Sequence, residues 1–258
     1  GHGQTGKRSS RLRIVMDYKK GLSAYQLKVI AIVAMTIDHI AWMWVPIVSL
    51  LGQCMHTVGR ITAPVMCYLL VEGYIHTHDI KRYTMRLGIF AVISALPFYF
   101  FEVCAGMAAG GMPSFGMIYT LFLALVVLRV YDSSTLSIMK KRVAIFLLLM
   151  LSMLGDWAGI GVLWPFIMYV YREDRKAQCK LLACTGAAFA ALLALDGAVT
   201  NAVQPYISFF QFGMLLSVPI IGAYNGSLGG KKGGKWFFYV YYPAHMLLIG
   251  LSKILFTV

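Results

Sequence analysis

Nine apolar runs, separated by short segments that hold almost all of the charge, leave this chain very few ways to fold. They fall at 27–50, 58–75, 85–101, 115–130, 143–155, 157–171, 181–199, 206–223 and 236–256. An apolar stretch of about 20 residues crosses the ~30 Å hydrocarbon layer as a helix. Within that layer every backbone polar group must be satisfied inside the segment or by a closed barrel. The runs are continuous and most are of helix-spanning length. The expected fold is all-α: a polytopic transmembrane bundle of about nine spans (eight to ten), with the lipid bilayer as its first partner.

The charges supply the orientation. The 258 residues are 59% hydrophobic and 13% charged, with a net charge of +13. Soluble domains carry about 25% charged residues. Twenty-one of the 23 basic residues fall in the N-terminal segment, in alternate inter-run segments or at the run ends that border them (Lys28, Arg86 and Arg129), leaving only Arg60 and Lys253 elsewhere. That one-sidedness is the positive-inside pattern and not a nucleic-acid footprint. It places the N-terminus in the cytoplasm, with residues 1–25 as a basic cytoplasmic segment and 26–258 as a single transmembrane domain. The basic start lacks a small-residue cleavage site after the first run, so no cleavable leader is expected.

Residues 143–171 are the least regular. Gly155, Gly159, Gly161 and Pro165 interrupt them and Asp156 sits between, so two short spans or a re-entrant pair are expected, with Asp156 lining a cavity. The five cysteines show no CxxC spacing, which argues against a metal site. Cys54 and Cys104 fall in segments on the outer side, and the sequence leaves a disulfide between them open.

An ionisable side chain in a span costs roughly 2.5–3.5 kcal/mol and marks a functional candidate. His39 lies 11 residues beyond Lys28, and His245 nine residues beyond Trp236. At 1.5 Å per residue both are about 14–16 Å from the cytoplasmic face, near the bilayer centre. A histidine there suits general-base chemistry; the bland alternative is a neutral ring fixing helix packing. Asp38 is expected to pair with a neighbouring span. Glu72 and His76, at i and i+4, share a helix face near the inner boundary, and His78, Lys81, Arg82 and Arg86 follow, a vestibule suited to phosphates or an ordinary inside loop. Arg60, near the outer end of the second run, either pairs with Glu102 or Asp156 or meets a substrate. The Gly-rich basic segment containing Tyr224, Asn225, Lys231, Lys232 and Lys235 is a phosphate-binding candidate, or a flexible turn. The aromatics from Trp236 to Tyr242 form first an interfacial belt.

Several ordered motifs together resemble the TraX family. They are Met35-Thr36-Ile37-Asp38-His39-Ile40, Val58-Gly59-Arg60-Ile61-Thr62-Ala63-Pro64, Val71-Glu72-Gly73-Tyr74-Ile75-His76-Thr77, Tyr224-Asn225-Gly226 and Tyr241-Tyr242-Pro243-Ala244-His245. The family is associated with acetylation of the pilin N-terminus and resembles the wider group of transmembrane acyltransferases, including acyltransferase family 3 and the heparan glucosaminide N-acetyltransferases. In family 3 a basic residue and a histidine, with ten residues between them, carry catalysis; Lys28 and His39 show that spacing, with Lys for the usual Arg. The resemblance implies an acetyl-CoA-dependent acyltransferase of the bacterial inner membrane. His39, Asp38, His245 and Lys28 would be catalytic. His76, His78, Lys81, Arg82, Arg86 and the Tyr224–Lys235 loop would hold the CoA thioester, and Arg60, Glu72, Asp156 and Tyr242 would line the acceptor site. The acceptor is a pilin, a glycan or a lipid head group. The alternative is a proton-coupled transporter or channel built on the same intramembrane His and Asp residues.

Overall fold

The computed structural model describes residues 21–108, 115–229 and 234–257, and the regular structure of these residues is helical apart from two isolated β-bridges. In chain order the helices are α1 (Ala24–Trp44), α2 (Leu50–Gly59), α3 (Thr62–His76), α4 (Ile80–Cys104), α5 (Met117–Asp132), α6 (Ile138–Ser152), α7 (Ala158–Val170) and α8 (Arg175–Thr200). A 3-10 helix, η1 (Phe209–Leu216), then runs into α9 (Ser217–Gly222), and α10 (Gly234–Thr257) closes the bundle. Four segments are long and apolar enough to cross a membrane, namely α1, α2–α3 together, α4 and α8; α7 and η1–α9 are shorter apolar helices. The apolar stretch 143–171 is indeed two helices, broken at 153–157.

Short polar residues start the helices. Ser23 forms a capping box with Gln26, and Ser49, Asp79, Ser137 and Asp174 each accept a first-turn amide of α2, α4, α6 and α8. Such caps satisfy amides that the helix cannot. Two further orphan amides of α1 are met from far along the chain: Ala24 N–H donates to the Ser227 carbonyl (2.8 Å) and Tyr25 N–H to that of Leu228 (3.0 Å). The 223–228 segment is thereby stitched to the first residues of α1.

Cross-contacts show two ends. At one, Leu22 bridges Tyr224, and Tyr74 and Tyr169 both donate to Asp132. At the other, Phe115 pairs with Gly155, Gln53 donates to Ile207 and Lys253 to Met43. The basic residues 81–86, 140–142 and 172–180 belong to the first end. α5 is the most enclosed helix, with nine buried residues, while α4, α6 and α8 turn apolar faces outward, among them Val92, Leu96, Phe146 and Leu195. Outward Leu, Val and Phe on helices that are otherwise well formed suit a lipid surround rather than water.

The structure corrects the start of the second run. The sequence places it at residue 58, with 51–57 outside, because Gln53, Cys54 and His56 look like a loop. The chain is helical from Leu50, with a single break at Arg60–Ile61, and the polar side chains turn inward: His56 is fully buried and Gln53 bonds the Ile47 and Ile207 carbonyls. Cys54 is thus on a helix. All five cysteines are free, so the Cys54–Cys104 disulfide left open by the sequence is not present.

Candidate functional site

A cavity of about 170 Å³ lies between α1, the α2–α3 break, the end of α4, the start of α5, the α6–α7 turn and α10. Its lining brings Asp38, His39, Arg60, Asp156 and Tyr242 together with Glu102 and a wall of Met35, Phe98, Phe101 and Trp157. It extends from His39 toward the end of the bundle opposite the basic segments, where Glu102 and the Gly155–Trp157 turn lie.

The two histidines expected at matched depth touch: His39 Nδ1 is 2.9 Å from His245 Nε2, and His245 Nδ1 is 2.9 Å from the Tyr241 carbonyl oxygen. A carbonyl only accepts, so His245 Nδ1 carries hydrogen and, in the neutral ring, Nε2 accepts. His39 must then donate from Nδ1, which makes Nε2 the acceptor of a ring that lines the cavity. Tyr241 also stacks on the His245 ring at 9° between planes, and its hydroxyl is 2.7 Å from Thr36 Oγ1. Thr36 gives its own hydrogen to the Ile32 carbonyl, so the Tyr241 hydroxyl donates to Thr36. The ring that sets the tautomer of His39 is itself held from two sides.

Asp38 does something different. Its carboxylate accepts from Arg60 Nη2 (2.6 Å) and from His56 Nδ1 (2.8 Å), so each oxygen is engaged by α2 or the residue that ends it rather than by His39. The expected partner on a neighbouring span is found; the expected partners of Arg60, Glu102 or Asp156, are replaced by Asp38. Gly59 permits this, since a Cβ there would overlap the Asp38 carboxylate. The Arg60 guanidinium is sandwiched 5.2 Å from the Trp157 ring and 5.3 Å from Phe210. Trp157 holds φ 62°, a left-handed conformation uncommon for a bulky residue and costing of order 1–3 kcal/mol. That strain delivers its ring to the cavity wall.

Other predicted residues stay apart. Lys28 is half-buried on α1, about 16 Å along the axis from His39, and lines no part of the cavity. The family-3 spacing therefore does not bring the two together. His76, His78, Lys81 and Arg82 are exposed at the basic end, where Arg82 pairs with Asp79 (3.0 Å). Arg86 packs under the rings of Tyr83, Trp236 and Tyr239. Glu72, expected near the acceptor, is also at the basic end, where it accepts from Tyr68 (3.2 Å). Tyr224 is buried beside it, and burial with the Glu72 carboxylate pushes its phenol up to about 12. Asn225 donates its backbone N–H to Leu22 and accepts that of Ser227 on its side chain. The first of those amides ties the loop to the residues just before α1 and the second closes the loop on itself, so neither is open to a phosphate. Lys231 and Lys232, and the side chain of Lys235, lie outside the described residues.

Sequence reasoning missed His56, whose i, i+4 spacing from Arg60 was the available signal. It also missed Arg175, which donates to the Ile221 and Tyr224 carbonyls and lies over Tyr68 and Tyr224.

The fold and the cavity together define a helical membrane protein with a hydrogen-bonded histidine pair beside a small, partly aromatic-walled chamber. Within that class the chain belongs to the TraX family, whose profile, described as TraX protein, matches residues 23–252. It is similar to the probable fimbrial assembly protein FimC, serogroup H1, of Dichelobacter nodosus, at 35% identity over 240 residues covering 90% of this chain and 96% of that one. No solved structure matches it.

Proposed function

We propose that the protein is a multi-pass acyltransferase of the bacterial inner membrane that moves an acetyl group from acetyl-CoA to an amine or hydroxyl acceptor. In this reading all nine alternating segments lie in the bilayer and the basic end faces the cytoplasm. The observation that carries the proposal is the tautomer of His39, fixed by the His39–His245–Tyr241 chain so that Nε2 is the acceptor, on a ring that lines the cavity. A neutral, oriented imidazole is what general-base catalysis at neutral pH requires.

The cavity, at about 170 Å³, is small beside the ~300–1,000 Å³ sites that enclose whole drug-sized ligands. It suits the acyl end of a thioester and not a nucleotide. The phosphates of CoA then belong at the basic end with His78, Lys81, Arg82 and Arg86, and the pantetheine arm covers the rise of α1 from Ala24 to His39, about 22 Å. The acceptor enters from the opposite end, past Glu102 and Asp156. The Dichelobacter nodosus relative is named for fimbrial assembly, which favours a fimbrial subunit as acceptor over a glycan or lipid head group.

The test is acetyl-CoA binding by calorimetry on detergent-purified protein, alongside transfer of labelled acetyl to an acceptor extract. His39→Ala should keep binding and lose transfer; His245→Ala, which frees the His39 tautomer, should lose transfer by at least about 10²-fold. Arg86→Ala should lose binding. A folded wild type that binds no acetyl-CoA, or a folded His39→Ala that transfers at the wild-type rate, ends this reading.

A further inference from the structure

The buried Tyr242 lines the same cavity as His39, its ring edge-on to His245 at 5.7 Å, and the surroundings of its hydroxyl are built around it. It accepts the backbone N–H of Met117 at 3.0 Å. Met117 is the first residue of α5, so this amide is one of the four that a helix leaves unpaired, and the hydroxyl sits at the positive end of the α5 dipole. Gly116, the residue before it, leaves the space: a Cβ there would overlap the Tyr242 hydroxyl and press on Phe98. With an oxygen lone pair held by Met117, the hydroxyl hydrogen is left for the cavity, which Tyr242 lines together with His39. Among the described residues no hydrogen bond takes it up.

We propose that Tyr242 is a catalytic residue, the hydrogen-bond donor to the oxyanion formed when the acyl carbonyl is attacked. This rests on the acyltransfer reading above and assigns its electrophilic half. The acceptor nitrogen or oxygen bonds to the acyl carbon as His39 Nε2 takes the acceptor's proton, and the carbonyl π pair moves onto oxygen, where the Tyr242 hydroxyl meets it. The pair then returns, the carbon–sulfur bond breaks, and the departing CoA thiolate takes the proton from His39. A preorganised donor in a site shielded from water stabilises that charge without reorganising, and Met117 and Gly116 provide the preorganisation.

The experiment measures kcat and KM for acetyl-CoA in Tyr242→Phe and Gly116→Ala, with donor binding followed separately by calorimetry. Removing one such donor lowers kcat by about 10²–10³-fold, and Tyr242→Phe should do this with KM and donor affinity within about threefold of wild type. Gly116→Ala, which displaces an intact hydroxyl, should reproduce the loss. Substituting 3-fluorotyrosine at position 242 keeps the shape and changes only the acidity of the donor, so it should also shift kcat; it decides the matter if either other variant fails to fold. A folded Tyr242→Phe whose kcat stays within threefold, or a 3-fluorotyrosine protein with unchanged kcat, overturns the assignment while leaving acyl transfer standing. A wild type that binds acetyl-CoA yet transfers nothing overturns both.

Discussion

Asp38 is the carboxylate hydrogen-bonded to both Arg60 and His56, and replacing it should expose how the bundle tolerates charge. In Asp38→Asn the Arg60 guanidinium, 12% exposed, and the His56 ring, 0% exposed, keep their places but lose the anion between them. Removing one partner of a buried ion pair costs about 3–5 kcal/mol, because the other charge is left unsolvated. For a chain of this size about 2–4 °C of melting temperature corresponds to 1 kcal/mol, so a fall of about 6–20 °C is expected. Arg60→Met alone should cost a comparable amount by stranding Asp38. The double variant Asp38→Asn/Arg60→Met removes both charges and should recover at least half of the loss, since replacing both members of a buried pair is often close to neutral. Thermal unfolding of the detergent-purified proteins, read by size exclusion after heating, supplies the cycle. A midpoint within about 2 °C of wild type for Asp38→Asn, or single losses that simply add in the double variant, would refute the idea that the pair is mutually neutralising.

Two further outcomes probe the fold. In a background stripped of native cysteines, Thr135→Cys and the 88%-exposed Val203→Cys lie at opposite ends of the bundle, so an impermeant maleimide on intact cells should label position 203 and spare 135. The reverse pattern overturns the proposed orientation, and equal labelling overturns the separation of the ends. Gly213→Ala should lower the melting temperature sharply, because its Cβ would land on the Thr57 backbone carbonyl and force α2 from η1, whereas Gly159→Ala meets nothing within 4 Å and should be neutral or stabilising by up to about 1 kcal/mol; equal effects of the two would sink the packing argument.

The helical class and most segments were legible because hydrocarbon length and helix rise act on the sequence locally. The 143–171 break was readable from its glycines and Asp156. The second span was not, because Gln53, Cys54 and His56 have loop-like polarity, and only tertiary contact with Ile47, Ile207 and Asp38 shows that they face inward. The site was legible in part: depth arithmetic placed His39 and His245 at one level, and the structure puts them 2.9 Å apart. Depth along a helix says nothing of azimuth, however. Neighbouring residues on α1 point in different directions, so Asp38 serves Arg60 while His39 serves His245. For the same reason the spacing from Lys28 to His39 fixed a distance along the helix and no shared chamber. The Asn225 loop looked open because its glycines were visible and its partner, the first turn of α1, lay some 200 residues away.

The two polar systems on α1 bear directly on the choice between a base and a proton path. A conduit needs groups that pass a proton on, in a line that reaches both ends of the bundle. The Asp38 system binds a carboxylate between a guanidinium, which does not give up its proton, and a histidine enclosed by Trp42 and Phe210. The His39–His245 line runs the other way and stops at the Tyr241 carbonyl, a backbone acceptor that cannot relay. One end of that line is therefore closed, and the other is a histidine that lines a chamber. A dead-ended chain that fixes one tautomer is poor wiring for transport and good support for a base that must take a proton and return it to the same chamber. That asymmetry supports the proposed group transfer over proton-coupled transport, with His39 Nε2 as the proposed base.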